Sequence, residues 1–329
     1  MDVKEAIKSK CVGVEDEMKK YALAGDSKIQ EMILHPINAG GKRIRPCLTL
    51  LACEAVGGEA KKALPAAASI ELLHTFTLVH DDIMDNDLER RGQPTVHSLW
   101  GEDMAILVGD ALYCAAFKAM AALRTAGVPP DHTLDALDTL IAANEEVTVG
   151  QMMDMLFERN ESVSEQEYTS MIRKKTGALI EAAVKVGAIV GAAPKEQVNA
   201  FSVYGSNCGL AFQIKDDILD LTADRKTFGK PVGSDIRAGK KTLLIIHAMN
   251  HGSVEDRKRL SDVLGRIDAS EEEVTAAIGL LERIGSIKYC ERRVVELIDE
   301  AKKSLAVVDD SEAKNTLLAI ADYFVDRRL

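Results

Sequence analysis

The sequence predicts an all-α protein, and three observations carry that prediction. Apolar residues recur with a helical period from end to end, and no segment sustains the alternation of a half-buried strand. The chain is 47% apolar yet only 4% aromatic, with Ala, Leu, Val, Glu and Lys prominent, as suits helices that pack closely through small side chains. At 329 residues it exceeds the usual single-domain length, but no Gly-, Ser- or Pro-rich linker divides it, so one domain over residues 1–329 is expected.

The helices are separated by breakers: Pro36 to Gly41, Gly57-Gly58, Gly92 to Pro94, Pro129-Pro130, Gly191 to Pro194, and an irregular stretch from Thr222 to Gly239. One apolar run is expected to open at Pro65, a favourable first-turn residue, and passes through Leu72, Leu73 and Leu78. A second runs through Leu210, Phe212 and Ile214. Ser270 followed by Glu273 fits a capping box that opens a C-terminal helical region.

Composition excludes several classes of function. A formal net charge of −11 argues against nucleic acid or an anionic membrane as partner, since both require a basic surface. The six cysteines, Cys11, Cys47, Cys53, Cys114, Cys208 and Cys290, show no zinc-ligand spacing and read as reduced structural thiols. No apolar stretch approaches the roughly 20 uninterrupted residues of a membrane span, and the N-terminus lacks an apolar signal core. A cytoplasmic protein with no stable membrane insertion is expected.

Each apolar run ends in an acidic cluster: His80-Asp81-Asp82-Ile83-Met84-Asp85, echoed by Lys215-Asp216-Asp217-Ile218-Leu219-Asp220. Residues four apart share a helix face, so Asp81 with Asp85, and Asp216 with Asp220, present paired carboxylates. Such pairs repel and call for a cation. All-oxygen donors without His or Cys suit magnesium, which takes one or two carboxylates and completes its shell with water and phosphate oxygens. Two such clusters facing each other would hold a diphosphate between metal ions. One cluster alone would more simply be a solvated acidic helix end.

Basic motifs accompany them. Gly40-Gly41-Lys42-Arg43-Ile44-Arg45-Pro46 sets three cations beside flexible glycines, where donors can converge on an anion. Arg90-Arg91-Gly92 follows the first acidic cluster, and arginine forks suit phosphate. Together with Gly150-Gln151, Lys175-Thr176, Gln213, Lys230 and Lys240, these motifs closely resemble, in kind and order, the trans-prenyl diphosphate synthase family, above all its archaeal-type geranylgeranyl and farnesyl members.

The resemblance implies a single isoprenoid-synthase helical bundle with a central apolar cavity, a homodimer, and magnesium on Asp81, Asp82, Asp85, Asp216 and Asp220. It implies that Lys42, Arg45, His74 and Arg91 bind isopentenyl diphosphate, and that Arg90, Lys175, Thr176, Gln213, Lys230 and Lys240 hold the allylic diphosphate. His74 lies seven residues before Asp81 on the same helix, close to the Asp81/Asp85 face. Lys174 and Lys241 are the alternatives to Lys175 and Lys240. Asp154, three residues after Gln151, reads as an inward carboxylate, and Arg327-Arg328 as a solvated tail.

The implied chemistry is ionisation of the allylic carbon–oxygen bond, attack by the isopentenyl double bond and loss of a proton, with Lys175, Lys230 and Lys240 stabilising the departing diphosphate. A terpene cyclase and a noncatalytic partner subunit are the alternatives. The cyclase needs no isopentenyl site, and such subunits commonly lose an aspartate cluster. The resemblance also implies a chain-length role for Phe76, five residues before Asp81, and the small Thr77, four before, and with them a twenty-carbon product, with fifteen carbons as the alternative.

Overall fold

A computed structural model describes residues 2–158, 160, 162–222 and 232–326; Lys230 and Arg327-Arg328 lie outside the described residues. The expected all-α class is what the structure has. Among the described residues the regular structure is helical apart from two-residue strands β1 (Glu89–Arg90) and β2 (Gln93–Pro94), paired antiparallel with Arg90 opposite Gln93. The chain forms two compact units, each assembled from separate segments: Met1–Asn144, Leu179–Gly205 and Leu305–Ala319 in the first, and Glu145–Ala178, Ser206–Ser304 and Ile320–Leu329 in the second.

In the first unit the long helix α5 (Ala60–Met84) packs against α4 (Ile44–Ala55) and α7 (Glu102–Ala121). Its Ala63, Ala66, Ala67 and Ala68 are fully buried, small enough to let neighbouring backbones approach on several sides. Ile70 and Leu72, also fully buried, each contribute about 1.5–3 kcal/mol by leaving water. Pro65 corrects the sequence reading. It lies inside α5, which begins five residues earlier at Ala60. The preceding Glu59 supplies the extended conformation of the N-cap, and α5 runs through the proline without a break.

The helical segment Glu102–Arg124 contains an 18-residue stretch of mean hydropathy 1.6, long and apolar enough to cross a membrane by length and composition alone, although Asp110 and Lys118 interrupt it. Its packing accounts for that composition. Ala105, Val108, Leu112, Ala115, Ala116 and Ala119 are buried, in a helix whose main neighbour is α5. Ile106 and Leu107 remain 45% and 59% exposed. Helix α10 (Ala178–Val190) reaches α4 through Gly187, where any Cβ would overlap the Thr49 carbonyl. All six cysteines are free thiols, and Cys47, Cys53, Cys208 and Cys290 are buried.

The second unit contains α9 (Glu165–Ile172), opened by a capping box in which the Ser164 side chain and Glu167 each satisfy the other's backbone N–H. A single π-helical turn, Arg173–Gly177, follows directly. The end of α11 (Lys195–Thr222), the short α12 (Ser234–Ala238), and α13 (Leu243–His251), α14 (Val254–Ser261), α15 (Glu271–Ile284) and α16 (Ser286–Ser304) complete most of the unit. The Ser270–Glu273 capping box read from the sequence does open α15: the Ser270 N–H donates to Glu273 at 2.8 Å and the Glu273 N–H to Ser270 Oγ at 3.2 Å.

Candidate active-site residues in the two units

In the first unit, α5 ends at its acidic cluster, with Asp85 as C-cap. The three carboxylates there have different surroundings. Asp81 is half-buried and Asp85 exposed, while Asp82, rotated about 100° around the helix, is buried. The Arg90 Nε donates to Asp82 Oδ1, and Arg90 Nη2 lies 3.7 Å from Asp87. Burial pushes the Asp82 carboxyl up, and the charge and hydrogen bond of Arg90 oppose that shift.

Arg90 is in place because the Arg-Arg-Gly motif is a hairpin turn. Arg91 and Gly92 have φ of 56° and 72°, the double left-handed geometry of a type I′ turn, which glycine adopts without strain. The turn carries the Arg91 guanidinium onto the Gly40-Gly41 backbone, where its Nη1 donates to the Gly40 carbonyl. A Cβ at position 41 would lie 2.6 Å from that nitrogen, so the glycine is required for the contact. The two basic motifs therefore form one structure.

Arg43 holds the other end of this loop, donating to buried Glu71 at 2.9 Å and to the Ile37 carbonyl at 3.0 Å. His74, half-buried on α5, has a pKa well below its usual value, first because of burial and then because of the charges of Arg45, Arg91, Arg90 and Arg43. A neutral imidazole in this setting can donate one N–H to an anion. Lys42 is exposed and Arg45 half-buried.

Phe76 is half-buried and turned toward α7. Its ring centroid lies 5.1 Å from that of Tyr113 and 4.7 Å from that of His80, and Tyr113 meets Phe117 at 4.8 Å. Thr77 donates its hydroxyl to the His74 carbonyl at 2.8 Å.

In the second unit, Lys175 and Thr176 sit on the π-helical turn, a feature that often marks functional positions. Two glycines fit it tightly. A Cβ on Gly150 would overlap the Lys175 backbone, and one on Gly209 would lie 2.6 Å from Gly177 Cα. Gly150-Gln151 and Lys175-Thr176, separate motifs in the sequence, are thus in backbone contact. Lys175 Nζ lies 2.5 Å from Asp154 Oδ2, while Lys174 pairs with Glu146.

Thr176 Oγ1 donates to Gln213 Oε1 at 2.9 Å, and Gln213 Nε2 donates to Asp217 Oδ1 at 3.0 Å. Tyr168 Oη donates to Asp217 Oδ2 at 2.5 Å. Burial, then the charge of Asp235, pushes the Asp217 carboxyl up, against the pull of these hydrogen bonds. Burial and the nearby carboxylate hold the Tyr168 phenol well above its usual range, so it remains a donor. Asp220 is also buried: Ser234 Oγ donates to one oxygen at 2.5 Å and the Asp235 N–H to the other at 3.1 Å. Asp216 is half-buried, and Lys240 Nζ lies 3.8 Å from Asp235.

Among the described residues, no three His, Cys, Asp or Glu groups gather into a metal cage. The carboxylates present fit magnesium in the manner that relies on few protein ligands and on phosphate oxygens. Sequence reasoning did not single out Glu71, Tyr113, Tyr168, Ser234 or Asp235. Tyr168 is 49 residues from its partner, and no local pattern announces it.

Comparison with known proteins agrees with the resemblance drawn from the motifs. Residues 26–281 match the polyprenyl synthetase family model. A short chain isoprenyl diphosphate synthase of Methanothermobacter thermautotrophicus is 44% identical over 326 residues, covering 95% of this chain and 98% of the relative. A geranylfarnesyl diphosphate synthase of Aeropyrum pernix is 44% identical over 298 residues, 89% of this chain and 92% of the relative. The crystal structure of a geranylgeranyl pyrophosphate synthetase from Pyrococcus horikoshii superposes with a TM-score of 0.93 at 41% identity, covering 99% of both chains.

The environment of His74 has a consequence for stability. Its pKa is lowered on folding, so near and below an unfolded value of about 6.5 the unfolded chain binds the extra proton. Stability should therefore fall as pH drops from about 7 toward 5, by up to about 1.4 kcal/mol per unit from this group. In denaturant titrations across that window, His74→Asn should flatten the dependence. An identical slope in both proteins would show that His74 is not held neutral.

Proposed function

Because the chain belongs to the polyprenyl synthetase family, we propose that it condenses isopentenyl diphosphate with the allylic diphosphates dimethylallyl, geranyl and farnesyl diphosphate, with geranylgeranyl diphosphate as principal product. The observation that carries this reading is the division of labour within each acidic cluster. Asp82 and Asp217, buried, are held by protein donors, whereas Asp81 and Asp216 are half-buried and Asp85 is exposed. We assign Asp81, Asp85 and Asp216 as the carboxylates that take magnesium. Asp82 and Asp220, which the sequence also placed in the metal-ligand set, accept from Arg90 and from Ser234 and the Asp235 N–H, and we assign them a supporting role behind the metal.

Magnesium, when bound, supplies positive charge against the diphosphate that departs from the allylic carbon. Lys175 and Lys240, and Lys230 outside the described residues, add fixed charge to the same end. Lys42, Arg45, Arg91 and neutral His74 bind the second diphosphate, and Arg90 acts by orienting Asp82. The apolar faces of α5 and α7 exclude water, which would otherwise capture the allylic cation.

The isopentenyl-binding motif and two intact acidic clusters favour a synthase over a terpene cyclase or a noncatalytic subunit. The exposed Ile106 and Leu107 on α7 favour a homodimer. We place the protein in the cytoplasm.

Incubation with labelled isopentenyl and dimethylallyl diphosphates, with and without magnesium, tests the reading. The expected result is metal-dependent chain extension that Asp81→Ala lowers by at least about a hundredfold, the scale of losing a major electrostatic stabiliser. Near-normal turnover after chelation or in that variant would rule the metal assignment out.

Product length tests the Phe76 assignment separately. Its packing on Tyr113 makes it a wall between α5 and α7. Phe76→Ala should lengthen the product beyond twenty carbons, and Thr77→Phe should shorten it toward fifteen. An unchanged product spectrum in both folded, active variants would place the stop elsewhere.

A further inference from the structure

We propose that Tyr168 is a positioning residue for the allylic diphosphate, acting through Asp217 and Gln213 on Thr176. The inference rests on the prenyl-transfer reading and adds to it a residue on α9 outside every sequence motif. Its ring is 1% exposed, and a phenol at that depth needs a hydrogen-bond partner. The partner is a carboxylate that is itself 6% exposed, in an acidic neighbourhood that includes Asp235. A buried carboxylate with too few donors is costly, and Tyr168 supplies one of the two seen here.

The direction of the remaining bonds follows from this arrangement. Gln213 turns its amide nitrogen toward Oδ1, at 3.0 Å. Its carbonyl oxygen is then left to accept the Thr176 hydroxyl, at 2.9 Å. Each bond sets the orientation of the next, from the phenol to the π-helical turn that carries Lys175. Without the phenol hydroxyl, Asp217 is short of a donor and is relieved by rotating. That rotation releases the Gln213 amide and, with it, Thr176. Gly150 and Gly209 hold the backbone of the turn, so the side-chain relay is the part that the loss unlocks.

The test uses the full-length protein and the variants Tyr168→Phe, Asp217→Asn and their combination, each checked by thermal melting. Three quantities are read: KM for the allylic diphosphate, KM for isopentenyl diphosphate, and the Kd of inorganic diphosphate in the presence of magnesium. Tyr168→Phe should raise the allylic KM and the diphosphate Kd about tenfold, as expected for the loss of one buried hydrogen bond, with the isopentenyl KM within about twofold. The double variant should be no worse than Asp217→Asn alone, since both act along one path. If Tyr168→Phe unfolds, Asp217→Asn must by itself show the same selectivity. An allylic KM and Kd that do not move, equal losses on both substrates, or additive effects in the double variant would overturn the proposal. A wild type that binds magnesium diphosphate but extends no allylic substrate would reject the prenyl-transfer reading, while the binding comparison still judges Tyr168.

Discussion

The candidate site depends on the cost of burying a carboxylate. Moving an ionised group away from water is prohibitive unless donors replace the lost hydration. The chain buries Asp82 in the first acidic cluster and Asp217 and Asp220 in the second, and answers them differently in each unit. Asp82 is met by a guanidinium from a hairpin eight residues on, and Asp217 by a phenol and an amide. Asp81 and Asp216 are half-buried and Asp85 is exposed. An arrangement of this kind presents carboxylates to a metal without leaving every one of them exposed and repelling its neighbours.

The second constraint is close backbone approach. Gly41 admits the Arg91 guanidinium, and Gly150 and Gly209 admit the π-helical turn. In each case a single Cβ would separate a basic group from the position its motif needs. Isolated glycines inside long helices weaken them by about 1 kcal/mol relative to alanine, so they persist where contact requires them. The basic motifs are thus defined as much by what they lack as by their charges.

Much of this was legible in the sequence, for physical reasons. Helical periodicity fixes which faces are apolar, so the all-α class and most joints could be read directly, and the Ser270–Glu273 box opens a helix where expected. Pro65 misled because a proline early in a helix resembles its first residue, whereas α5 had already begun. The carboxylates were visible as pairs four apart. Which of them turns inward was not, because that depends on partners whose sequence distance carries no signal, as with Tyr168 at 49 residues or Glu71 at 28 from Arg43. The π-helical turn was likewise invisible, since residue propensities do not distinguish it from ordinary helix.

The central claim, that outer carboxylates take metal while Asp82 and Asp217 stay bound to protein donors, can be examined by crystallography with manganese, in place of magnesium, and inorganic diphosphate. Anomalous scattering locates the metal without ambiguity. The account predicts metal bonded to oxygens of Asp81, Asp85 and Asp216, with the Arg90–Asp82 and Tyr168–Asp217 bonds intact. Metal bonded to Asp82 or Asp217, with those bonds broken, would contradict it.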